Sequence, residues 1–190
     1  MERTPRSSGS GAAAAIRHAI EARRTDLVAQ WLAWIEQRPA AEPSIRRPTL
    51  RRQLELIVDT LVLMAGPLRR EASSLWFNAN ELYGRTAAIR GLAAGEIVEE
   101  VQHLRELLIR SLADELVSLQ ARQLMAAVLR LNRVLDKAIA DAVVGYTDSL
   151  SMMLFAQRGV PVPVADQETD ETTRQLEALE AEYRGLVERL

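Results

Sequence analysis

The sequence contains no cysteine, only one lysine and few aromatic residues. Without cysteine, the chain forms no disulfide, no thiolate metal site and no cysteine nucleophile. Aromatic residues make up 4% of the 190 residues, whereas Ala, Leu, Val, Arg and Glu dominate. This mixture favours helix over sheet. Every basic residue other than Lys137 and two histidines is arginine, which mainly indicates the coding bias of a GC-rich genome and is only weak evidence for phosphate or carboxylate recognition.

Long hydrophobic runs are also missing. No segment approaches the ~18 uncharged apolar residues of a membrane span, so none is predicted. The apolar run near the N-terminus is broken by Arg17 and His18 and is too short for the core of a signal peptide. The net charge of −2 gives no general attraction to nucleic acid. These features are typical of a cytoplasmic protein.

The charge is unevenly distributed along the chain. Residues 1–52 hold ten arginines against five acids, and residues 166–190 hold three arginines against eight acids. The two ends can therefore attract each other, or two copies can pair head to tail. Two solvated faces would give the same pattern.

Apolar residues recur at helical spacing through most of the chain, and no segment reads as a strand. The pattern predicts an all-α bundle of about five helices, globin-like or four-helix-like, with a further helix at the C-terminus. Gly145 is predicted to kink the longest helix. The predicted segments are a disordered tail at 1–11, bundle helices at 12–37, 50–65, 70–90, 96–116 and 118–157 within a domain of 12–158, a proline-rich joint at 159–167 and a connector helix at 168–190.

The connector helix carries a heptad seam, in which apolar residues alternate at steps of three and four. Such a seam predicts a short coiled coil, either joining two copies of the protein or leading into an output module. The end of the preceding helix, residues 150–155, is unusually apolar and is predicted to pack on the bundle or on a second copy. The seam consists of Leu176, Leu179, Tyr183, Leu186 and Leu190.

The sequence carries no catalytic signature. It has no phosphate-binding glycine loop and no nucleophile elbow, so we predict neither an enzyme nor a cofactor or metal site. His103 faintly resembles a phosphoacceptor histidine, but Leu104 stands where a carboxylate would orient the imidazole, and no proline follows. A haem ligated by His18 or His103 is the other alternative, and neither histidine lies among bulky apolar neighbours. A surface or boundary histidine is the simpler interpretation.

Two groups of side chains are candidates for a pocket or a polar cluster. Aromatic residues at core spacing usually belong to the core, but they can also line a ligand pocket. Polar residues of the long helix can form a cluster with arginines of the third helix, or they can be a solvated ladder of weak pairs. The acid pair Glu99–Glu100 is predicted to be solvated. The candidates are Trp31, Trp34 and Trp76 for the pocket, and Arg85, Arg90, Asn132, Arg133 and Asp136 for the cluster.

Three segments together resemble a known family. They are residues 30–35 (QWLAWI), residues 83–105 (YGRTAAIR, a glycine-containing turn and EIVEEVQHLR), and residues 131–139 (LNRVLDKAI), which lead to Tyr146. Their order resembles the N-terminal sensory domain of RsbR-type stressosome proteins (RsbT co-antagonists), which also precedes bacterial sensor histidine kinases. The resemblance covers about residues 25–150.

The resemblance implies a dimeric, all-helical input domain without catalysis or haem, joined by a linker helix to an output module. Residues 176–188 look like the signalling helix that enters a PAS domain. The chain is then either a fragment of a kinase or a stand-alone protein whose connector engages a partner. A ligand-free adaptor, such as an anti-sigma-pathway interaction protein, is the first alternative. A histidine phosphotransfer domain is the second.

Overall fold

The computed structural model describes residues 8–38, 45–157 and 165–189, and this part of the chain is helical with no strand. The predicted all-α bundle is therefore confirmed. Pro67–Arg69 form one short 3₁₀ turn between the third and fourth helices. The helices are α1 (Ser8–Ala22), α2 (Arg24–Glu36), α3 (Arg47–Ala65), α4 (Ser73–Ile89), α5 (Ala94–Ser111), α6 (Ala113–Val117), α7 (Ala121–Gln157) and α8 (Ala165–Val187).

The first predicted helix is in fact two helices, which meet at Arg23. This residue has φ −103° and ψ 7°, outside the helical range, and its guanidinium lies 2.8 Å from the Glu115 carboxylate of α6. Ile20 and Leu27, on opposite sides of the break, are both buried in the core. The break thus separates two helices that each bury an apolar face.

The predicted kink at Gly145 is wrong, because α7 is one helix through this position. A Cβ at Gly145 would lie 2.0 Å from the backbone oxygen of Glu81, and a Cβ at Gly84 would lie 1.8 Å from that of Ala142. Glu81 lies opposite Gly145, and the later residue Gly84 lies opposite the earlier residue Ala142. The helices α4 and α7 are therefore antiparallel where they cross. Glycine is present here to let two backbones touch.

The core lies between α2, α3, α4, α5 and α7, and its largest members are fully buried. Trp31, Trp76 and Tyr83 have no exposed surface, and the rings of Trp31 and Tyr83 are 5.7 Å apart. Trp31 and Trp76 are thus core residues and line no open pocket. α8 packs across α4 and α3 and adds Leu176 and Leu186 to the same core.

Candidate functional site

A group of charged and polar side chains is buried where α2, α4 and α5 meet. Arg90 donates to both carboxylate oxygens of Glu100, at 2.6 and 3.1 Å, and the Tyr83 hydroxyl donates to the same carboxylate. The indole Nε1 of Trp31 donates to the Glu100 backbone oxygen at 2.8 Å. Glu100 is completely buried, and Arg90 is 8% exposed. We call Trp31, Tyr83, Arg90 and Glu100 the buried cluster.

Two members of the buried cluster, Tyr83 and Arg90, have raised pKa values. Burial, with the neighbouring charge of Glu100, raises the pKa of the Tyr83 hydroxyl well above its usual value, although Arg90 opposes this shift. Burial alone would lower the pKa of Arg90, but the hydrogen bonds and charge of Glu100 and Tyr83 outweigh it and raise the pKa. Tyr83 therefore stays a neutral donor and Arg90 a cation, and both donate to the Glu100 carboxylate.

The prediction that Glu100 is solvated is wrong. Glu100 lies three residues after Ile97 and four before Leu104, and both of these are buried. The residue therefore occupies a core position of α5, and only its charge suggested exposure. Glu99, one position away, is exposed and pairs with Arg38 at 2.5 Å.

The structure does not bring the other predicted polar residues together. Arg85 pairs with Glu81 one turn earlier on α4, and Asp136 pairs with Arg105 of α5. Arg133 is exposed, and the side-chain oxygen of Asn132 is buried without a hydrogen-bond partner among the described residues. Of the five candidates, only Arg90 belongs to the buried cluster.

Trp34 and His103 form a separate contact at the boundary of the bundle. Their rings stack with centroids 4.3 Å apart, and the Arg38 guanidinium lies 4.9 Å from the Trp34 ring. Desolvation lowers the pKa of His103, with Glu106 opposing and Arg110 reinforcing the shift. His103 is thus a boundary residue held by an aromatic face.

The heptad seam of α8 faces its own bundle. Leu176 and Leu186 are buried, and Leu179 and Tyr183 are partly buried against the core, while α8 contacts α4 and α3. Leu190, the last predicted member of the seam, lies outside the described residues. We call Leu176, Leu179, Tyr183 and Leu186 the docking stripe.

Polar contacts reinforce the docking stripe on the α3 side. Arg52 donates to both carboxylate oxygens of Glu180, at 2.9 and 2.7 Å, joining the basic and acidic ends of the chain. Arg24 of α2 donates to Asp59 of α3, with one distance of 2.7 Å. Burial first and the charge of Asp59 second raise the pKa of Tyr183, which lies beside this pair. The Arg52–Glu180 pair joins the two ends within one chain, which is one of the arrangements that the charge distribution allows.

The apolar end of α7 does not pack on the bundle. Four of its large side chains are exposed, Met153 is half-buried, and the neighbouring Ser149 is buried. Packing on a second copy stays a prediction. The exposed side chains are Leu150, Met152, Leu154 and Phe155.

Comparisons with known proteins add no assignment. No protein-family model matches this chain, and no curated protein or solved structure matches it. Within residues 8–38, 45–157 and 165–189, no cluster of three or more His, Asp or Glu is arranged to hold a metal ion. No helix of this part is long and apolar enough to cross a membrane. The described residues define an all-α helical bundle with a docked C-terminal helix.

Proposed function

We propose that this protein is a non-catalytic input domain for signal transduction, in which α8 is the moving element. The observation that carries the proposal is the docking stripe. It has the spacing of a coiled-coil seam, yet it is covered by α3 and α4 of the same chain. One apolar stripe can thus serve two mutually exclusive contacts, docking on the bundle or pairing with a second helix.

The contacts of α8 suit a helix that changes partners. Its contacts include the docking stripe, the buried Thr172 and the Arg52–Glu180 pair, whose side chains are 35% and 25% exposed. Ion pairs as exposed as this contribute at most about 1 kcal/mol. A signal that changed the packing of α3 or α4 would alter this docking face directly. Coupling of about 1–3 kcal/mol is enough to shift such an equilibrium five- to 150-fold.

The absence of cysteine allows the two states to be measured by crosslinking through introduced thiols. Glu55 and Arg184 line one polar cleft between α3 and α8, so E55C/R184C with a short bismaleimide should give a crosslinked monomer when α8 is docked. E182C lies beside the seam and is exposed, so it should give a crosslinked dimer when two seams pair. We expect the monomer product in dilute protein and a rising dimer fraction as concentration increases.

Charge reversal of Arg52 sharpens this experiment. In R52E, two carboxylates face each other across the docking contact, and we expect less crosslinked monomer and several-fold more E182C dimer at equal concentration. R47E, on the same helix but paired with Glu36 at the surface, is the control and should behave as wild type. If R52E leaves both products unchanged and E182C never dimerises, α8 is a fixed part of the bundle and the proposal fails.

The ligand-free adaptor is a second candidate function, favoured by the exposed apolar end of α7. That surface does not depend on release of α8. We expect L154S/F155S to leave the E55C/R184C crosslink unchanged. If this variant alone abolishes dimerisation while R52E has no effect, α7 is the interaction surface and the adaptor is the better description.

A further inference from the structure

A concave cleft of about 610 Å³ lies between α1, α3 and the first half of α7, on residues that the docking stripe does not use. This volume is within the roughly 300–1,000 Å³ of small-molecule sites. Its floor is apolar and its rim is basic. Ala65, Ala126 and Ala127 contribute apolar surface above the buried side chains of Leu61 and Val134, while Arg69, Arg122, Arg130 and Arg133 contribute the charge.

The charge of this cleft is not neutralised by the described part of the chain. All four charged residues in the lining are arginines, and no carboxylate lies among the lining residues. None of the four arginines forms an ion pair with a described acid, whereas Arg17 and Arg105, on α1 and α5, pair with Glu21 and Asp136. Four like charges around one cavity repel one another, so an anion that enters is favoured.

The arginines approach the cleft from two sides. Arg130 and Arg133 are three residues apart and share one face of α7. Arg122 lies two turns before Arg130, about 12 Å away along the helix axis. Arg69 belongs to the 3₁₀ turn that follows α3. A head group at the rim can therefore be contacted by guanidinium groups from both sides, and planar guanidinium forks match carboxylate and phosphate oxygens.

We infer that this cleft binds an amphiphilic anion, an apolar chain that ends in a carboxylate or phosphate. A small inorganic anion would leave the apolar floor in contact with water, and an uncharged apolar molecule would leave the arginines unneutralised. Only a molecule with both parts satisfies the floor and the rim together. The head group lies at the arginines, and the chain lies along Ala65, Ala126 and Ala127.

The surface of an anionic membrane is a rival source of the same chemistry. Met125 and Leu129 lie on α7 between the rim arginines and are 60% and 46% exposed. A basic helix with exposed apolar residues is typical of membrane-surface binding. The cleft favours the single molecule, because a concave site covers a chain on several sides whereas a bilayer would meet only the protruding residues.

The test is a direct binding titration by calorimetry with four probes that share a twelve-carbon chain, each below its micelle-forming concentration. We expect dodecanoate and dodecyl phosphate to bind saturably, and dodecanol and dodecylammonium to bind at least about tenfold more weakly. R130Q/R133Q should weaken binding of the anions at least about tenfold, because charge-assisted hydrogen bonds are the strong ones. A126W, which fills the cleft at a lining residue, should abolish binding of all four probes.

The control is R110Q, since Arg110 is an exposed arginine of α5 that pairs with Glu106 and lies outside the cleft lining, and it should bind as wild type. Circular dichroism melts verify that each variant is folded. The inference is overturned if dodecanol binds as well as dodecanoate, or if inorganic phosphate competes as well as dodecyl phosphate. It is also overturned if no probe binds but the protein sediments with phosphatidylglycerol vesicles and not with phosphatidylcholine vesicles. The α8 crosslinks play no part in this readout, so the two proposals fail separately.

Discussion

Replacement of Glu100 by alanine is expected to lower the free energy of unfolding by about 3–5 kcal/mol, the usual cost of removing one partner of a buried ion pair. Arg90 would remain buried without its carboxylate, and the Tyr83 hydroxyl would lose its acceptor. For a chain of this size the loss corresponds to a fall in melting temperature of roughly 6–20 °C. Urea denaturation followed by circular dichroism measures it.

The neighbouring residue supplies a matched control. Glu99 also pairs with an arginine, but its side chain is 59% exposed, so E99A should cost less than about 1 kcal/mol. The chemical change is identical in the two variants, and they differ in burial. Equal losses in E99A and E100A would show that Glu100 is not buried with its partner.

A double replacement distinguishes the cost of leaving Arg90 buried without a partner from the net contribution of the Arg90–Glu100 ion pair. R90M/E100L removes both members and fills the space with apolar side chains, and we expect it to cost less than E100A alone. The reason is that the penalty in E100A comes mainly from a stranded guanidinium, which the double variant no longer contains. A double variant less stable than E100A would mean that the pair itself is a net source of stability.

The helices could be predicted from the sequence where the apolar period is clean. In the helices predicted at 50–65 and 96–116 the apolar period runs through Leu54, Leu61 and Leu104, and all three are in the core. The break at Arg23 could not be predicted, because neither glycine nor proline marks it. It is fixed by the burial of Ile20 and Leu27 and by the contact of Arg23 with Glu115, which are all tertiary effects.

The candidate sites were harder to predict than the fold. Residue type misled the interpretation of Glu100, since a carboxylate at a core position looks solvated until its partner is known. Arg133 was a candidate from the sequence, but Arg69 and Arg122 were not, because they are 53 positions apart and only the packing of α7 beside α3 brings them to one cleft. Four residues of the predicted seam form an apolar stripe that packs on α3 and α4, whereas the predicted coiled coil stays a prediction, because the spacing of a stripe does not determine which partner covers it.

Substitution of Gly84 by alanine is expected to destabilise the fold by about 3 kcal/mol or more. Overpacking usually costs about 1–3 kcal/mol, and here the new methyl group would meet backbone, which cannot rotate away as a side chain can. Its Cβ would lie 1.8 Å from the Ala142 oxygen and 2.6 Å from the Ala142 carbonyl carbon, so α4 and α7 would have to separate. G145A meets Glu81 in the same way and should cost a similar amount, as measured by thermal and urea denaturation.

Gly185 supplies a control in which the same substitution is expected to stabilise the protein. It also lies within a helix, α8, but a Cβ there would meet no heavy atom within 4 Å. G185A should therefore show only the intrinsic preference of alanine for helix and stabilise the protein by up to about 1 kcal/mol. G84A/G145A should cost less than the sum of the single variants, because separation of the helices by the first methyl group makes room for the second. Strict additivity would mean that the two glycines do not share one crossing, and stabilisation by G84A would exclude the close contact of α4 with α7.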